Sequence, residues 1–335
     1  MSSNNQFPFN WIGRDDQEDG NKRYRVHHKV VHRSQGDTPQ IQLMGFCTDE
    51  GVKRNKGRVG AQQGPNAIRA ALANLAWHQD NTLLDIGNVI ADSDDLERHQ
   101  QQAAETITKN LFNGPIVVLG GGHEIAWPSF KGLSDFLSQS SDKPNIGIIN
   151  FDAHFDLREY QSNDNTPADV DLKPSSGTPF AQIADHCHLT GQNFHYFCLG
   201  VSETGNTQAL FEKADNLQVQ YIKDTELFDR PMHEHIAQLQ NFINDVDILY
   251  FTIDLDVFNA SLAPGVSAPA AFGMNLEQFI PMLNTIVASD KLMLADIAEY
   301  NPSYDIDNRT AKLAARVCWQ ILVAMSKQLL KTDNE

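Results

Sequence analysis

Six stretches of consecutive apolar residues, rich in β-branched and aromatic side chains, recur along the chain: IQLMGF (41–46), PIVVLG (115–120), NIGIINF (145–151), FHYFCLG (194–200), DILYFTID (247–254) and KLMLADIAE (291–299). They do not alternate polar with apolar, so each reads as a strand covered on both faces. Segments with helical apolar spacing lie between them, at 64–77, 96–112, from about Glu124, at 232–245 and at 276–289, and the spacing predicts an amphipathic helix from Asn308 to Lys331. Pro65 stands near a helix start, where the first turn tolerates it. This βα order predicts an α/β fold with a mostly parallel sheet and helices on both faces. Residues 1–38 are polar and irregular and are expected to wrap the surface; 39–335 reads as one domain. A chain of this size buries about three quarters of its unfolded surface.

Three of the strands run into residues that can hold metal. PIVVLG leads into Gly-Gly-His-Glu with His123; NIGIINF leads into Asp152, His154 and Asp156; DILYFTI leads into Asp254 and Asp256. In open parallel sheets ligands collect beyond the carboxyl ends of strands, so these residues share one edge. Four carboxylates gathered there repel one another or take up protons unless cations are present. Two divalent cations remove that cost, and an oxygen and nitrogen set without thiolate suits Mn²⁺ better than a structural zinc. A one-metal site and an uncomplexed structural cluster are the alternatives. VVLGGGHEI is not a dinucleotide loop, because Ile125 stands where GxGxxG needs its third glycine, and there is no GxxxxGK[ST]. The pairs His27/His28, His186/His188 and His233/His235 lack carboxylates at useful spacing and read as surface or loop residues.

The formal charge of −17 argues against unaided binding to nucleic acid or anionic membranes. Cys47, Cys187, Cys198 and Cys318 form no CxxC pair and are expected to be buried thiols. The N-terminal residues lack the pattern of a signal peptide, and no stretch approaches the length of a membrane span, so a cytoplasmic protein is expected.

The motifs GGGHE (120–124), NFDAHFDLR (150–158), TIDLDVF (252–258) and DIAEYNP (296–302), with a weaker GxxxGPNAIR (60–69), resemble those of the ureohydrolases, the family of arginases, agmatinases and formimidoylglutamases. They occur in the family's order and span residues from about 40 to 325. The resemblance implies a three-layer α/β/α, arginase-like sandwich and a homo-oligomer. It also implies two Mn²⁺ per subunit, held by His123, Asp152, His154, Asp156, Asp254 and Asp256. Glu299 would pair with a cationic amidinium, and Asp156 would pass a proton to the departing amine.

One departure narrows the substrate. Arginases and agmatinases carry a histidine followed by glycine in the loop after DAHxD; here the loop reads PSSGTPF (174–180) and Ser176 stands in that place. This form is similar to the formimidoylglutamase branch, which implies hydrolysis of the small molecule N-formimidoyl-L-glutamate to L-glutamate and formamide in histidine degradation. Arg158 agrees: an arginine repels a cation such as agmatine but suits a carboxylate. It could instead pair with a neighbouring acid such as Asp164 or Asp169. Arg58 or Arg69 is a candidate for the second substrate carboxylate. The alternative activity is release of urea from a guanidine by another ureohydrolase.

Overall fold

The computed structural model describes residues 9–32, 39–140, 143–162 and 172–332. Its strands are β1 (Val30–Val31), β2 (Ile41–Cys47), β3 (Leu83–Ile90), β4 (Ile116–Gly120), β5 (Ile146–Phe151), β6 (His195–Val201), β7 (Gln220–Lys223), β8 (Ile248–Asp254) and β9 (Leu292–Ala298). They form one nine-stranded sheet in the order β1-β3-β2-β4-β9-β8-β5-β6-β7, and every pairing is parallel.

Alternate side chains of each central strand enter two different cores. On β5, Ile149 and Phe151 face one core, while Ile146 and Ile148 face the other. On β4 the same split separates Val117 and Leu119 from Ile116 and Val118. The first core is closed by helices Gly64–Leu72, Met232–Asn244, Leu276–Val287 and Arg309–Thr332. The second is closed by helices Leu96–Asn110, Ala126–Leu137 and Pro179–Thr190. A strand buried on both faces needs apolar residues at odd and even positions alike, which is the pattern its sequence carries.

Strand β7 and helices Pro179–Thr190 and Gln208–Asn216 are not among the elements the sequence predicts, and three further elements also depart from that reading. Strand β3 was not predicted because Asp85, Gly87 and Asn88 interrupt its apolar run; Asp85 is tolerated because a buried arginine neutralises it, as described below. The helix expected over 64–77 ends at Leu72. Its continuation pairs with the N-terminal segment instead: Val26 N–H donates to Leu75 O at 2.9 Å and Trp77 N–H to Tyr24 O at 2.9 Å. Residues 26–31 are therefore not irregular, forming a helical turn (Val26–Lys29) and then the edge strand β1. His235 is buried on its helix, not at the surface. The four cysteines are buried and unpaired. Among the described residues no helix is long and apolar enough to cross a membrane.

The central strands β4, β9, β8 and β5 are consecutive neighbours. Register places Asn150 beside Thr252 and Phe151 beside Ile253, and Thr252 beside Asp296 and Asp254 beside Ala298. The chain that leaves each of these strands at its carboxyl end therefore arrives at one place.

Candidate metal centre and substrate cavity

From the last residue of β4, Gly120, the chain turns through Gly121 and Gly122 to His123. A Cβ on Gly121 would lie 1.7 Å from Thr48 O, so only glycine passes there. The turn is clamped from β9: Glu299 N–H donates to Gly121 O at 2.8 Å, and His123 N–H donates to Glu299 Oε1 at 2.9 Å. After β5 and at the end of β8, two aspartates bend their own loops. Asp152 Oδ1 accepts the N–H of His154 at 2.7 Å, and Asp254 Oδ1 accepts that of Asp256 at 2.8 Å. Asp156 and Glu299 both have positive φ, 49° and 65°. Such conformations are costly for non-glycine residues and concentrate at functional sites.

These loops bring all six sequence-predicted ligand residues together, in two groups. His123, Asp152, Asp156 and Asp254 each offer an atom to one point, and Asp152, His154 and Asp256 to a second, so Asp152 belongs to both. His123 Nδ1 lies 3.0 Å from Asp152, 2.9 Å from Asp156 and 3.3 Å from Asp254. His154 Nδ1 lies 3.1 Å from Asp256.

The far side of His123 decides how these atoms carry charge. Its Nε2 lies 3.0 Å from Thr252 Oγ1, and Thr252 Oγ1–H donates to Asp296 Oδ1 at 2.5 Å. Asp296 also accepts the hydroxyl of Tyr250 at 2.5 Å. Having given its one proton to Asp296, Thr252 can only accept from His123, so the neutral imidazole carries its hydrogen on Nε2. Its Nδ1 lone pair then points at three carboxylates. That arrangement is stable only with a proton or a cation between them. The pKa directions agree: burial opposes charge on His123, yet Asp152, Asp156 and Asp254 push the imidazole well above its ordinary value. Burial and Asp152 push Asp156 up to about 6, and burial, Asp256 and Asp152 push Asp254 well up. The chain supplies more buried negative charge here than it can neutralise, and the donors are oxygen and imidazole nitrogen. The residues fit divalent cations.

A cavity of about 300 Å³ opens above the cluster, with His154, Asp156, Asp254, Asp256 and Glu299 at its base. That is the lower end of the size range for small-molecule clefts, about 300–1,000 Å³. Glu299 Oε2 is buried without a hydrogen-bond partner among the described residues, and burial together with nearby Glu124 raises its pKa well above the carboxylate range. Ser176 lines the same cavity and accepts a hydrogen bond from Asn55 Nδ2 at 3.2 Å. Arg158 lines it too. Among the described residues no acid pairs with its guanidinium; Asp164 and Asp169, the alternative partners, lie outside the described residues.

Two other arginines do not behave as the sequence suggested. Arg69 is fully buried and makes a two-pronged pair with Asp85, at 2.8 and 3.0 Å, away from the cavity. Arg58 does line the cavity, but its Nε and Nη2 donate to Ser267 O and Val266 O at 2.8 and 2.6 Å. Its guanidinium also lies over the ring of Tyr304.

Sequence reasoning missed Thr252 and Asp296, which orient His123, and Asn206, whose Oδ1 accepts Phe155 N–H at 3.0 Å and steadies the DAHFD loop. Thr252 and Asp296 had a signal. Each lies inside a quoted motif, at even spacing from a strand-end residue or three before Glu299.

A parallel sheet whose central strands end in this carboxylate and imidazole cluster defines a metallohydrolase of arginase type, and the chain belongs to the arginase family, whose model matches residues 39–324. It is 52% identical over 333 residues to the formimidoylglutamase of Vibrio parahaemolyticus, a match covering 97% of this chain and 96% of that one. Its fold is shared by the crystal structure of formimidoylglutamase from Bacillus subtilis, with TM-score 0.77, 21% identity, and 90% and 92% of the two chains covered. It is shared also by Trypanosoma cruzi formiminoglutamase with Mn²⁺, with TM-score 0.76, 23% identity, and 90% and 98% covered.

Proposed function

We propose that this chain hydrolyses N-formimidoyl-L-glutamate to L-glutamate and formamide in histidine degradation, in the cytoplasm and as a homo-oligomer. One Mn²⁺ would be held by His123, Asp152, Asp156 and Asp254, and a second by Asp152, His154 and Asp256. When bound, such a pair supplies charge neutralisation and Lewis-acid activation of water near neutral pH.

The observation that carries the reading is the charge order of the cavity. Its buried end gathers the carboxyl groups of Glu299 and the aspartates, and its exposed side carries Arg158. A ligand that fits is cationic at the reacting end and anionic at the far end. N-formimidoyl-L-glutamate has that order, with an amidine at one end and carboxylates at the other. Agmatine would set its free ammonium beside Arg158; at an effective dielectric near 20, like charges ~5 Å apart cost roughly 3 kcal/mol. The 52% identity to a formimidoylglutamase supports the same substrate.

The chain's own groups would act as follows. Glu299 Oε2, left without a partner, accepts the amidinium N–H groups and aims the amidine carbon at the cluster. Asp156, a proposed ligand that also lines the cavity, would take a proton from the attacking water and deliver it to the departing amine. Arg158 holds a carboxylate of the glutamate portion, which fixes the reacting carbon in position. Ser176, fixed by Asn55, presents a hydroxyl where related enzymes carry a shuttle histidine.

Incubating the Mn²⁺-loaded protein with N-formimidoyl-L-glutamate, agmatine and arginine, and measuring formamide and urea, tests this. Formamide from the first and no urea from the others is expected. Urea from agmatine with no formamide overturns it.

A further inference from the structure

The glutamate portion of the proposed substrate carries two carboxylates, and the residues described so far offer one free cation. Arg69 is committed to Asp85 inside the protein, and Arg58 is committed to two backbone carbonyls and the face of Tyr304. One further cation lines the cavity: Lys56. It is exposed, and among the described residues no acid pairs with its ammonium. The acids nearest in sequence have other partners. Glu50 binds Lys53 and Arg54, and Asp49 accepts the N–H of Gly60.

The backbone holds Lys56 at the rim. Helix Glu50–Arg54 ends in a turn where Lys56 N–H donates to Lys53 O at 3.0 Å and Gly57 N–H to Val52 O at 2.8 Å. Lys56 has φ 63°, a left-handed conformation that favours glycine or asparagine. Gly57 is wedged so closely that a Cβ would meet Ser267 Oγ at 2.6 Å and Val52 at 2.8 Å. Among the described residues no acid offsets the cost of keeping a lysine in this disfavoured conformation.

The turn is also tied to Arg158. Asn55, the residue before Lys56, donates to Ser176 Oγ, and Arg158 N–H donates to the O of the next residue, Gly177, at 2.9 Å. A Cβ on Gly177 would meet both Arg158 Cδ and Asn55 Nδ2 at 3.0 Å. Lys56 and Arg158 therefore flank one short stretch of rim, and among the described residues neither is paired with an acid.

We propose that Lys56 is a specificity-determining residue, binding the second carboxylate so that Lys56 and Arg158 together select a dicarboxylate amidine; this rests on the amidine-hydrolase reading above. The pair explains discrimination that Arg158 alone cannot: a ligand with one carboxylate would leave a cation unpaired beside another.

The test uses the full-length Mn²⁺-loaded protein, Lys56→Met, Lys56→Arg and Arg158→Met. Three substrates are compared: N-formimidoyl-L-glutamate, 4-(formimidoylamino)butanoate, which lacks the α-carboxylate, and 2-(formimidoylamino)butanoate, which lacks the γ-carboxylate. Lys56→Met is expected to lower kcat/KM for the dicarboxylate about tenfold or more, mainly through KM, and to leave one monocarboxylate unaffected. Arg158→Met should spare the other monocarboxylate, and Lys56→Arg should recover most of the loss. Unchanged kinetics in Lys56→Met, or an equal loss on all three substrates, overturns the proposal while leaving the amidine reading intact. No formamide from the unsubstituted protein on any of the three overturns that reading and this inference with it.

Discussion

The backbone N–H of His123 donates to Oε1 of Glu299 at 2.9 Å. One oxygen of Glu299 thus holds the turn at His123, and the other, Oε2, has no hydrogen-bond partner among the described residues, as the proposed amidinium contact requires. Replacing Glu299 by Gln keeps an acceptor for His123 but removes the charge. Metal content should stay the same while kcat/KM falls about 10- to 100-fold, the scale of a lost charge-assisted hydrogen bond. Steady-state kinetics beside metal analysis checks this; full activity would remove Glu299 from substrate binding.

Thr252 accepts from His123 Nε2 and donates to Asp296, which fixes the tautomer that presents Nδ1 to the cluster. Thr252→Val breaks this link without touching a proposed ligand. Loss of such an outer partner typically weakens metal binding about 10- to 100-fold. A Mn²⁺ titration of the folded variant should find a weaker site; an unchanged titration would show that His123 is oriented by its packing alone.

Arg69 and Asp85 are both excluded from solvent, with side-chain exposures of 0% and 1%. Removing one member of a buried pair leaves the other charge uncompensated, at a cost of roughly 3–5 kcal/mol. Asp85→Ala should lose about that much stability in denaturant unfolding, with KM unchanged in the protein that remains folded. A raised KM without loss of stability would return Arg69 to the substrate site.

Asp305 caps the terminal helix, accepting the N–H of Thr310 at 3.0 Å and of Ala311 at 3.1 Å. Burial opposes its ionisation, but these N–H groups, the Thr310 hydroxyl and the Tyr300 hydroxyl hold its carboxyl below the usual value. A lowered folded-state pKa means the stabilisation is present above the unfolded value, about 3.9, and is lost as pH falls through the folded one. Asp305→Ala should therefore cost about 1–2 kcal/mol at pH 7, and the gap to the unsubstituted protein should close below about pH 4. Unfolding curves at pH 7 and pH 3 measure it, and equal gaps at both would contradict the assignment.

How much of this could be read before the fold was known depended on whether a signal was local. The strands of the central sheet announced themselves, since burial on both faces demands an unbroken apolar run. Strand β3 did not, because Asp85 is admissible only through Arg69, sixteen positions away. The six proposed ligand residues lie between the last residue of a strand and five positions past its end, where local order is enough to find them. Thr252 and Asp296 needed the β8–β9 register. The choice among cations needed the cavity itself: Arg69 lies in a recognisable motif but points into a core, whereas Lys56 reaches the rim only through the turn at the end of helix Glu50–Arg54.

Asp152 is the residue common to both ligand groups, and it gives the most direct test of a two-cation hydrolase. Metal analysis and formamide release should be measured on the same samples of the unsubstituted protein and of Asp152→Asn, after loading with Mn²⁺ and removal of excess. The account predicts two Mn²⁺ per chain and formamide from N-formimidoyl-L-glutamate in the first, with both metal content and formamide release collapsing in the second. Two tightly held Mn²⁺ and undiminished formamide release in Asp152→Asn would contradict it.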